Sequence, residues 1–346
     1  MTFGQIAFLG SGETSLAGGR IFEALAKRIK APLRIALLET PAGFELNSAQ
    51  VVERVGDFMA TRLQNYKPVV NVVPARKKDS AFSPDDPAII EPLLYANMIF
   101  MGPGSPTYAI RQLKGSLAWD VIRARHRLGA ALIFASAATI SVGAHALPVY
   151  EIYKVGQDVH VVDGLDFFSD FGLHVSFIPH WNNAEGGVDL DTSRCFVGMD
   201  RFNEWCDLLP AENVILGLDE HTGIIMDFEN GACEISGVSS ISIVNNCDPI
   251  MHPAGRDFSL REIGDFDLPD PLSKGIPARV WDMVLNAPPL DDDKPSDEAV
   301  ALAERRLAAR AEKNWAESDR LRDEIAELGW TVQDGKDGYK LVRGDR

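Results

Sequence analysis

The amino-terminal part of the chain repeats one pattern four times: a short apolar run of strand character, followed by a segment with helical periodicity. Nearly continuous apolar runs are typical of strands buried on both faces. Strands that alternate with helices predict a parallel sheet covered by helices on both sides. The expected fold class is therefore α/β, with a doubly wound, mostly parallel sheet. The four expected strands cover residues 5–9, 34–38, 69–73 and 98–101.

A fifth apolar run, residues 131–134, leads through Ser136 into small residues that suit a helix reaching about His145. Strand, sharp turn carrying a serine, then helix is the layout of a nucleophile elbow, in which the turn holds the hydroxyl above the sheet. Ligands of such sheets bind beyond the carboxyl ends of the strands, where both Ser136 and the glycine loop 102–106 fall. We expect these loops to be neighbours. Taken alone, a serine here is more often a helix N-cap.

The apolar runs become shorter in the second half of the chain. Residues 173–178 predict a strand that delivers His180 at its end. The Glu229-Asn230-Gly231 sequence is a strong hairpin signal between two later strands. We interpret the later strands as an antiparallel edge of the main sheet. They are expected at residues 214–218, 223–228 and 232–235.

A polar, proline-bounded stretch at residues 288–295 precedes a small carboxyl-terminal module. The module has two helical segments broken near Lys313-Asn314, then a short hairpin that turns at Asp334-Gly335 or at Asp337-Gly338. The predicted organisation is a large α/β domain, a linker, and a module of a helical hairpin plus a β-hairpin. These cover residues 1–287, 288–296 and 297–346 respectively.

Charge and composition restrict the function classes. The formal net charge of -16 opposes binding to a phosphate backbone. No apolar run approaches the roughly 18 residues that span a bilayer, and the amino-terminus lacks the basic region of a signal peptide. We expect a cytoplasmic protein with no membrane contact, no metal and no cofactor. Free thiols are expected at the four cysteines, which show no C-x-x-C spacing: Cys195, Cys206, Cys233 and Cys247.

Four segments occur in a characteristic order: the glycine loop 102–106, the serine turn at Ser136-Ala137, the Pro-His-Trp-Asn-Asn-Ala sequence at 179–184, and residues 217–223. Together they resemble the serine peptidases of the dipeptidase E and cyanophycinase family, whose G-I-D-E-x-T segment is similar to residues 217–223. The resemblance covers about residues 2–244. It implies the class I glutamine amidotransferase-like fold and peptide hydrolysis by a Ser-His-Asp/Glu triad.

Carried over residue by residue, the resemblance assigns Ser136 as the nucleophile and His180 as the general base. A serine hydroxyl is too weak an acid to attack unaided, so a histidine must accept its proton and a carboxylate must hold the imidazole. Glu151 lies where the family places that carboxylate, between nucleophile and histidine. Asp158 and Asp163 are nearby rivals.

The remaining expectations concern the oxyanion and the substrate. The implied oxyanion donors are the backbone N–H groups of Ala137 and Gly104. Asn182 is assigned to substrate binding. Arg194 is suited to bind a substrate carboxylate through two hydrogen bonds, with an ordinary surface ion pair as the alternative. Glu220 is interpreted as structural.

The elbow departs from the family's G-x-S-A-G-A pattern, since Phe134 and Ala138 replace both glycines. Small residues there let strand and helix approach closely, so Phe134 is expected to push them apart or close the pocket mouth. The first function hypothesis is a serine-type peptidase or amide hydrolase that acts on small peptides through an acyl-enzyme at Ser136. The alternative is a catalytically impaired binding or adaptor protein. A glutamine amidotransferase would need a cysteine at the elbow, and none lies there.

The carboxyl-terminal module carries a second resemblance. Residues 306–342, which include Lys313-Asn314-Trp315, are similar to the extreme carboxyl-terminal segment of bacterial cysteinyl-tRNA synthetases. The H-I-G-H and K-M-S-K-S signatures are absent, so synthetase activity is not implied. A nucleic acid or a protein partner is expected only through this module, and the oligomeric state stays open. Its arginines are interleaved with acids, which favours an ion-paired, solvated helix face over RNA contact: Arg305, Arg306, Arg310, Arg320 and Arg322.

Overall fold

A computed structural model describes residues 2–29, 32–245, 248–270, 272, 275–288, 290, 295–335 and 338–343. The chain divides into two compact units, Met1–Leu285 and Asn286–Arg346. Three of the sequence predictions fall on residues outside this description: Cys247, Asp337 of the alternative hairpin turn, and linker residues 291–294. In the part of the chain that is described, no helix is long and apolar enough to cross a membrane.

The strands and helices are as follows. The strands are β1 (Ile6–Leu9), β2 (Arg34–Leu38), β3 (Val69–Val73), β4 (Met98–Met101), β5 (Ala131–Ala135), β6 (His145–Ala146), β7 (Val162–Asp163), β8 (Val175–Ile178), β9 (Val214–Leu218), β10 (Thr222–Asp227), β11 (Ala232–Gly237), β12 (Ser240–Asn245), β13 (Asp248–Pro253), β14 (Asp257–Ser259), β15 (Trp330–Gly335) and β16 (Gly338–Arg343). The α-helices are α1 (Leu16–Ala26), α2 (Ser48–Arg62), α3 (Pro87–Tyr95), α4 (Pro106–Leu113), α5 (Leu117–Arg127), α6 (Ala137–Ser141), α7 (Val149–Tyr153), α8 (Met199–Asp207), α9 (Ala278–Leu285), α10 (Asp297–Ala311) and α11 (Trp315–Glu327).

The first unit contains an eight-stranded sheet in the order β14-β11-β10-β1-β5-β4-β2-β3. Strands β1, β5, β4, β2 and β3 are parallel, and β10, β11 and β14 extend one edge antiparallel. This confirms the predicted α/β class with a mostly parallel sheet. The predicted hairpin turn lies between β10 and β11, where Asp227 pairs with Ala232.

A second, four-stranded sheet has the order β13-β12-β9-β8. The strand predicted at 214–218 is β9, and it pairs in parallel with β8 instead of joining the edge of the main sheet. That prediction was wrong because an apolar run identifies a strand but not its partner. Since β9 lies in one sheet and β10 in the other, the connection at residues 219–221 links the two sheets.

Both faces of the central strands β1, β5, β4 and β2 are buried, as their continuous apolar sequences require. In β5, Leu132 and Phe134 belong to one hydrophobic core, and Ala131, Ile133 and Ala135 belong to the other. The helices that cover these faces begin at serine caps. The backbone N–H of Tyr108 bonds to Ser105 Oγ at the start of α4, and that of Trp119 bonds to Ser116 Oγ at the start of α5.

The second unit consists of the helix pair α10–α11 and the hairpin β15–β16, in which Gly335 lies opposite Gly338. The observed elements match the predicted two helices and hairpin. A small core of Ala299, Ala303, Ile325 and Trp330 holds them together. Arg306 reaches the hairpin and donates two hydrogen bonds to Asp334, at 2.7 and 3.1 Å.

Candidate active site

Ser136 follows β5, which lies between β1 and β4 in the middle of the main sheet. Its backbone has φ 52° and ψ -117°, a conformation that a residue with a side chain adopts at a cost of about 1–3 kcal/mol. The Ser136 side chain makes no capping hydrogen bond to α6. The turn therefore has the strained geometry of a nucleophile elbow, and its hydroxyl is not used as a helix cap.

The two residues that replace the elbow glycines fit without separating strand and helix. Phe134 points into the core, where it is 1% exposed and its ring lies 5.5 Å from that of Phe8. The backbone N–H of Ala138 donates to the carbonyl of Gly102 at 3.3 Å, which joins the elbow to the glycine loop as expected. Phe134 therefore neither opens the elbow nor closes a pocket mouth. Its burial contributes about 1.5–3 kcal/mol to stability. The elbow helix, however, ends at Ser141 and not near His145.

His180 follows β8 in the second sheet and faces the elbow. Its backbone N–H donates to the carbonyl of Gly10 at 3.0 Å, which fixes the strand end against the loop after β1. The imidazole Nε2 lies 3.3 Å from Ser136 Oγ. The structure thus brings together the two residues assigned as nucleophile and base, at the distance that a long hydrogen bond allows.

The carboxylate behind the imidazole is Glu220, not Glu151. Glu220 Oε1 accepts a hydrogen bond from His180 Nδ1 at 3.0 Å and a second from Asn183 Nδ2 at 2.9 Å. Glu220, which the sequence analysis interpreted as structural, is thus the carboxylate that contacts the His180 ring. It lies in the connection between β9 and β10, so its approach to His180 depends on the pairing of two separate sheets.

Glu151 and its rivals have other neighbours. Glu151, on α7, accepts a hydrogen bond from the Thr107 hydroxyl at 2.5 Å. Asp163 lies opposite His145 in the β6–β7 ladder and is 81% exposed at its side chain. The carbonyl of Asp158 lies 2.9 Å from His160 Nδ1. Glu151 lies between Ser136 and His180 in the sequence, but in the structure it is not the carboxylate that contacts His180 Nδ1.

Electrostatics favour the charged form of Glu220. Partial burial by itself raises the pKa of this carboxyl group, but the hydrogen bonds from Asn183 and His180, together with the nearby His180 and His221 rings, outweigh burial. The pKa of Glu220 is therefore held below its ordinary value. An ionised carboxylate on Nδ1 fixes the imidazole tautomer that presents an unprotonated Nε2 to the serine.

Residues near Glu220 hold its backbone in place. The Asn182 side chain, which was assigned to substrate binding, accepts a hydrogen bond from the Glu220 N–H at 2.8 Å. Asp219 is 6% exposed and accepts hydrogen bonds from Ser239 Oγ at 2.6 Å and Ser240 N at 3.1 Å. Sequence reasoning missed these roles. The Asp-Glu-x-Thr segment at 219–222 was the signal that could have found Glu220.

The glycine loop supplies the other wall of the elbow. Gly104 has φ +146°, and a Cβ there would lie 2.0 Å from the carbonyl oxygen of Pro41. Only glycine fits, because the loop after β4 runs directly against the loop after β2. Helix α4, which follows, packs against α6. The structure therefore places Gly104 and Ala137 on adjoining segments of one site.

Arg194 is engaged with the protein itself. Its guanidinium lies 3.8 Å from the centre of the Trp181 ring, and Nη1 donates to the Trp181 carbonyl at 2.9 Å. Among the described residues, it has no ion pair of the kind considered above. Trp181 directly follows His180, so Arg194 anchors the chain beside the imidazole.

Cys195 lies close to the site but is expected to be unreactive. Burial raises the pKa of its thiol to about 12, and the charge of Glu220 acts in the same direction. Because the thiolate is the reactive form, alkylation of Cys195 by iodoacetamide at pH 8 should be about 10³-fold slower in the native than in the unfolded protein. Mass spectrometry of the alkylated peptides measures this. Rapid modification of Cys195 in the native state would contradict it.

The described residues contain no group of three or more His, Cys, Asp or Glu side chains arranged to hold a metal ion.

Comparison with solved structures identifies the fold of the large unit. The chain is similar to a peptidase from an acI-B1 Actinobacterium, with a TM-score of 0.60 and 19% sequence identity over 75% of this chain and 97% of that chain. At this identity the similarity shows a peptidase-like fold. It confirms the fold that the resemblance implied.

The carboxyl-terminal module is matched by sequence. Residues 292–340 match the family described as the cysteinyl-tRNA ligase anticodon binding domain. Curated relatives include the cysteine–tRNA ligase of Chlamydia trachomatis serovar A, 47% identical over 65 residues, or 19% of this chain and 14% of that protein. The enzyme of Azotobacter vinelandii is 61% identical over 47 residues, or 13% and 10%. The chain thus spans only about a tenth to a seventh of the length of these ligases.

Proposed function

We propose that the large unit is a serine hydrolase that cleaves a peptide or related amide bond in a small substrate. The observation that carries the proposal is the line of contacts from Ser136 Oγ to His180 Nε2 and from His180 Nδ1 to Glu220 Oε1, at 3.3 and 3.0 Å. The strained backbone of Ser136 and the peptidase-like fold support it.

The chemistry follows from these contacts. Ser136 Oγ attacks the carbonyl carbon of the substrate while His180 Nε2 accepts its proton, and the negative charge of Glu220 stabilises the imidazolium that forms. The N–H groups of Ala137 and Gly104 stabilise the developing oxyanion. His180 then returns the proton to the departing amine as the C–N bond breaks. Water, activated by the same imidazole, hydrolyses the acyl-enzyme and regenerates Ser136.

A fluorophosphonate probe tests the proposal directly. We expect a covalent adduct on Ser136 that is located by peptide mass spectrometry, together with hydrolysis of some members of a dipeptide library. Absence of both the adduct and any hydrolysis would overturn the proposal in favour of a catalytically impaired binding protein.

A second function, nucleic-acid binding by the carboxyl-terminal module, is favoured by the match of residues 292–340 to an anticodon binding domain. Most of its arginines are ion-paired, including Arg306 with Asp334 and Arg320 with Glu317. Trp315, in contrast, is 57% exposed, and the guanidinium of Arg310 lies 5.6 Å from its ring. An exposed indole beside an arginine suits the stacking of an unpaired base.

We therefore expect the full chain to bind total tRNA weakly in a filter-binding assay at low salt. Replacing Trp315 by alanine should weaken binding about 5-fold or more, since base stacking contributes about 1–3 kcal/mol. Leu307→Ala, which removes another exposed apolar side chain of the same module, is the matched control and should bind as the wild type does. Equal binding by wild type and Trp315→Ala would contradict the proposed surface.

A further inference from the structure

The chain that leaves His180 returns to it fifteen residues later, at Cys195, in an unusual conformation. Three consecutive residues, Arg194, Cys195 and Phe196, have positive φ angles of 57°, 58° and 71°, although none is glycine. Each costs about 1–3 kcal/mol, so such a turn persists only where its surroundings hold it firmly. The left-handed turn, residues 194–196, therefore has contacts that outweigh its strain.

Those contacts are made with the chain around the general base. The Arg194 N–H and Nη1 both donate to the Trp181 carbonyl, at 3.0 and 2.9 Å, and the guanidinium covers the Trp181 ring. The Cys195 N–H donates to the carbonyl of His180 at 3.2 Å. The left-handed turn is thus fastened directly to the backbone of His180 and of the residue after it.

The third residue of the turn reaches the imidazole itself. The centre of the Phe196 ring lies 5.5 Å from that of His180, at an interplanar angle of 48°. The Phe196 ring also stacks on Tyr153 at 5.9 Å and 18°. Hydrogen bonds to Ser136 and Glu220 hold the imidazole by its two nitrogen atoms, which leaves tilting about the line between them unrestrained. A ring packed beside the imidazole opposes that tilt.

We propose that Phe196 is a positioning residue for His180, held in place by the left-handed turn and by Tyr153. It keeps the imidazole ring in the orientation in which Nε2 faces Ser136 Oγ and Nδ1 faces Glu220 Oε1. This inference rests on the proposed hydrolytic function, since it assigns how the general base of that reaction is aligned. The conformational strain of the turn is the cost of bringing a rigid aromatic ring to this point.

Replacing Phe196 by leucine should lower kcat about 10- to 100-fold and leave KM within about twofold, because a misplaced base affects the chemical step and not substrate binding. Phe196→Tyr keeps the ring and should restore kcat. Phe228→Leu makes the same change in the core, where Phe228 packs on Phe171 and Phe266, and should leave kcat unchanged. Tyr153→Leu, which removes the support behind Phe196, should give a smaller loss of kcat in the same direction.

A proton NMR spectrum without substrate separates this inference from the proposed function. The proton that His180 Nδ1 donates to Glu220 should give a downfield resonance in the wild type and in Phe196→Tyr, but a broadened or missing one in Phe196→Leu. That pattern in a protein that hydrolyses nothing would support the positioning role and overturn the hydrolase. An unchanged resonance and unchanged kcat in a folded Phe196→Leu variant would overturn the positioning role, as would absence of the resonance from the wild type.

Discussion

Replacing Ser136 by alanine is expected to lower kcat/KM for any peptide substrate by about 10⁴-fold or more, because the oxygen that forms the acyl-enzyme is lost. The fluorophosphonate adduct should disappear with it. Thermal stability should stay near that of the wild type, since the Ser136 hydroxyl makes no capping hydrogen bond to α6. Steady-state kinetics and a thermal melt of the same preparation measure both effects.

Ser116→Ala is the matched control. The Ser116 hydroxyl caps α5 by accepting a hydrogen bond from Trp119 N at 3.2 Å, so its loss should cost about 0.5–2 kcal/mol of stability and leave kcat/KM unchanged. Comparing the two variants therefore distinguishes a serine that acts as the nucleophile from a serine that caps a helix. Full activity of Ser136→Ala would show that the elbow serine does not carry the reaction.

Replacing Glu220 by glutamine is expected to lower kcat about 10³- to 10⁴-fold, while the fold is kept. A neutral amide neither stabilises the imidazolium nor enforces the tautomer with an unprotonated Nε2. Glu151→Gln serves as the comparison, because Glu151 bonds to Thr107 and not to the His180 ring. It should retain activity within a few-fold of the wild type. The reverse pattern would make Glu151 the acid of the triad.

The pH dependence of the wild type follows from the lowered pKa of Glu220. A carboxyl group whose pKa is lowered by folding stabilises the protein above its ordinary pKa, and this contribution is lost as the pH falls through the lowered value. Unfolding experiments should therefore show that the stability difference between wild type and Glu220→Gln narrows as the solution is acidified below the ordinary range of a glutamate. A difference that grows on acidification would contradict the assigned shift.

Local sequence patterns were sufficient for much of the fold. Short apolar runs predicted β1 to β5. For β1, β2, β4 and β5 the reason is that a strand buried on both faces needs apolar side chains in both directions. The sequence around Ser136 predicted the elbow, since a sharp turn after a central strand depends mainly on neighbouring residues. The Glu229-Asn230-Gly231 turn and the two helices of the second unit were predicted for the same local reason.

Only the tertiary structure shows which carboxylate contacts His180 and what Arg194 contacts. Glu220 is 40 residues beyond His180, and it reaches the imidazole because β9 pairs with β8 in one sheet while β10 pairs with β1 in the other. Composition and periodicity identify strands but do not specify which strands pair, so the family resemblance, which placed the acid between Ser136 and His180 in sequence, pointed to Glu151. Likewise, a charged residue in a polar loop looks free in sequence, yet Arg194 is held by the Trp181 ring and carbonyl. The sequence by itself determined the main-sheet strands and the sharp turn at Ser136, because these depend on neighbouring residues, and the packing of two sheets determined which side chains meet at that turn.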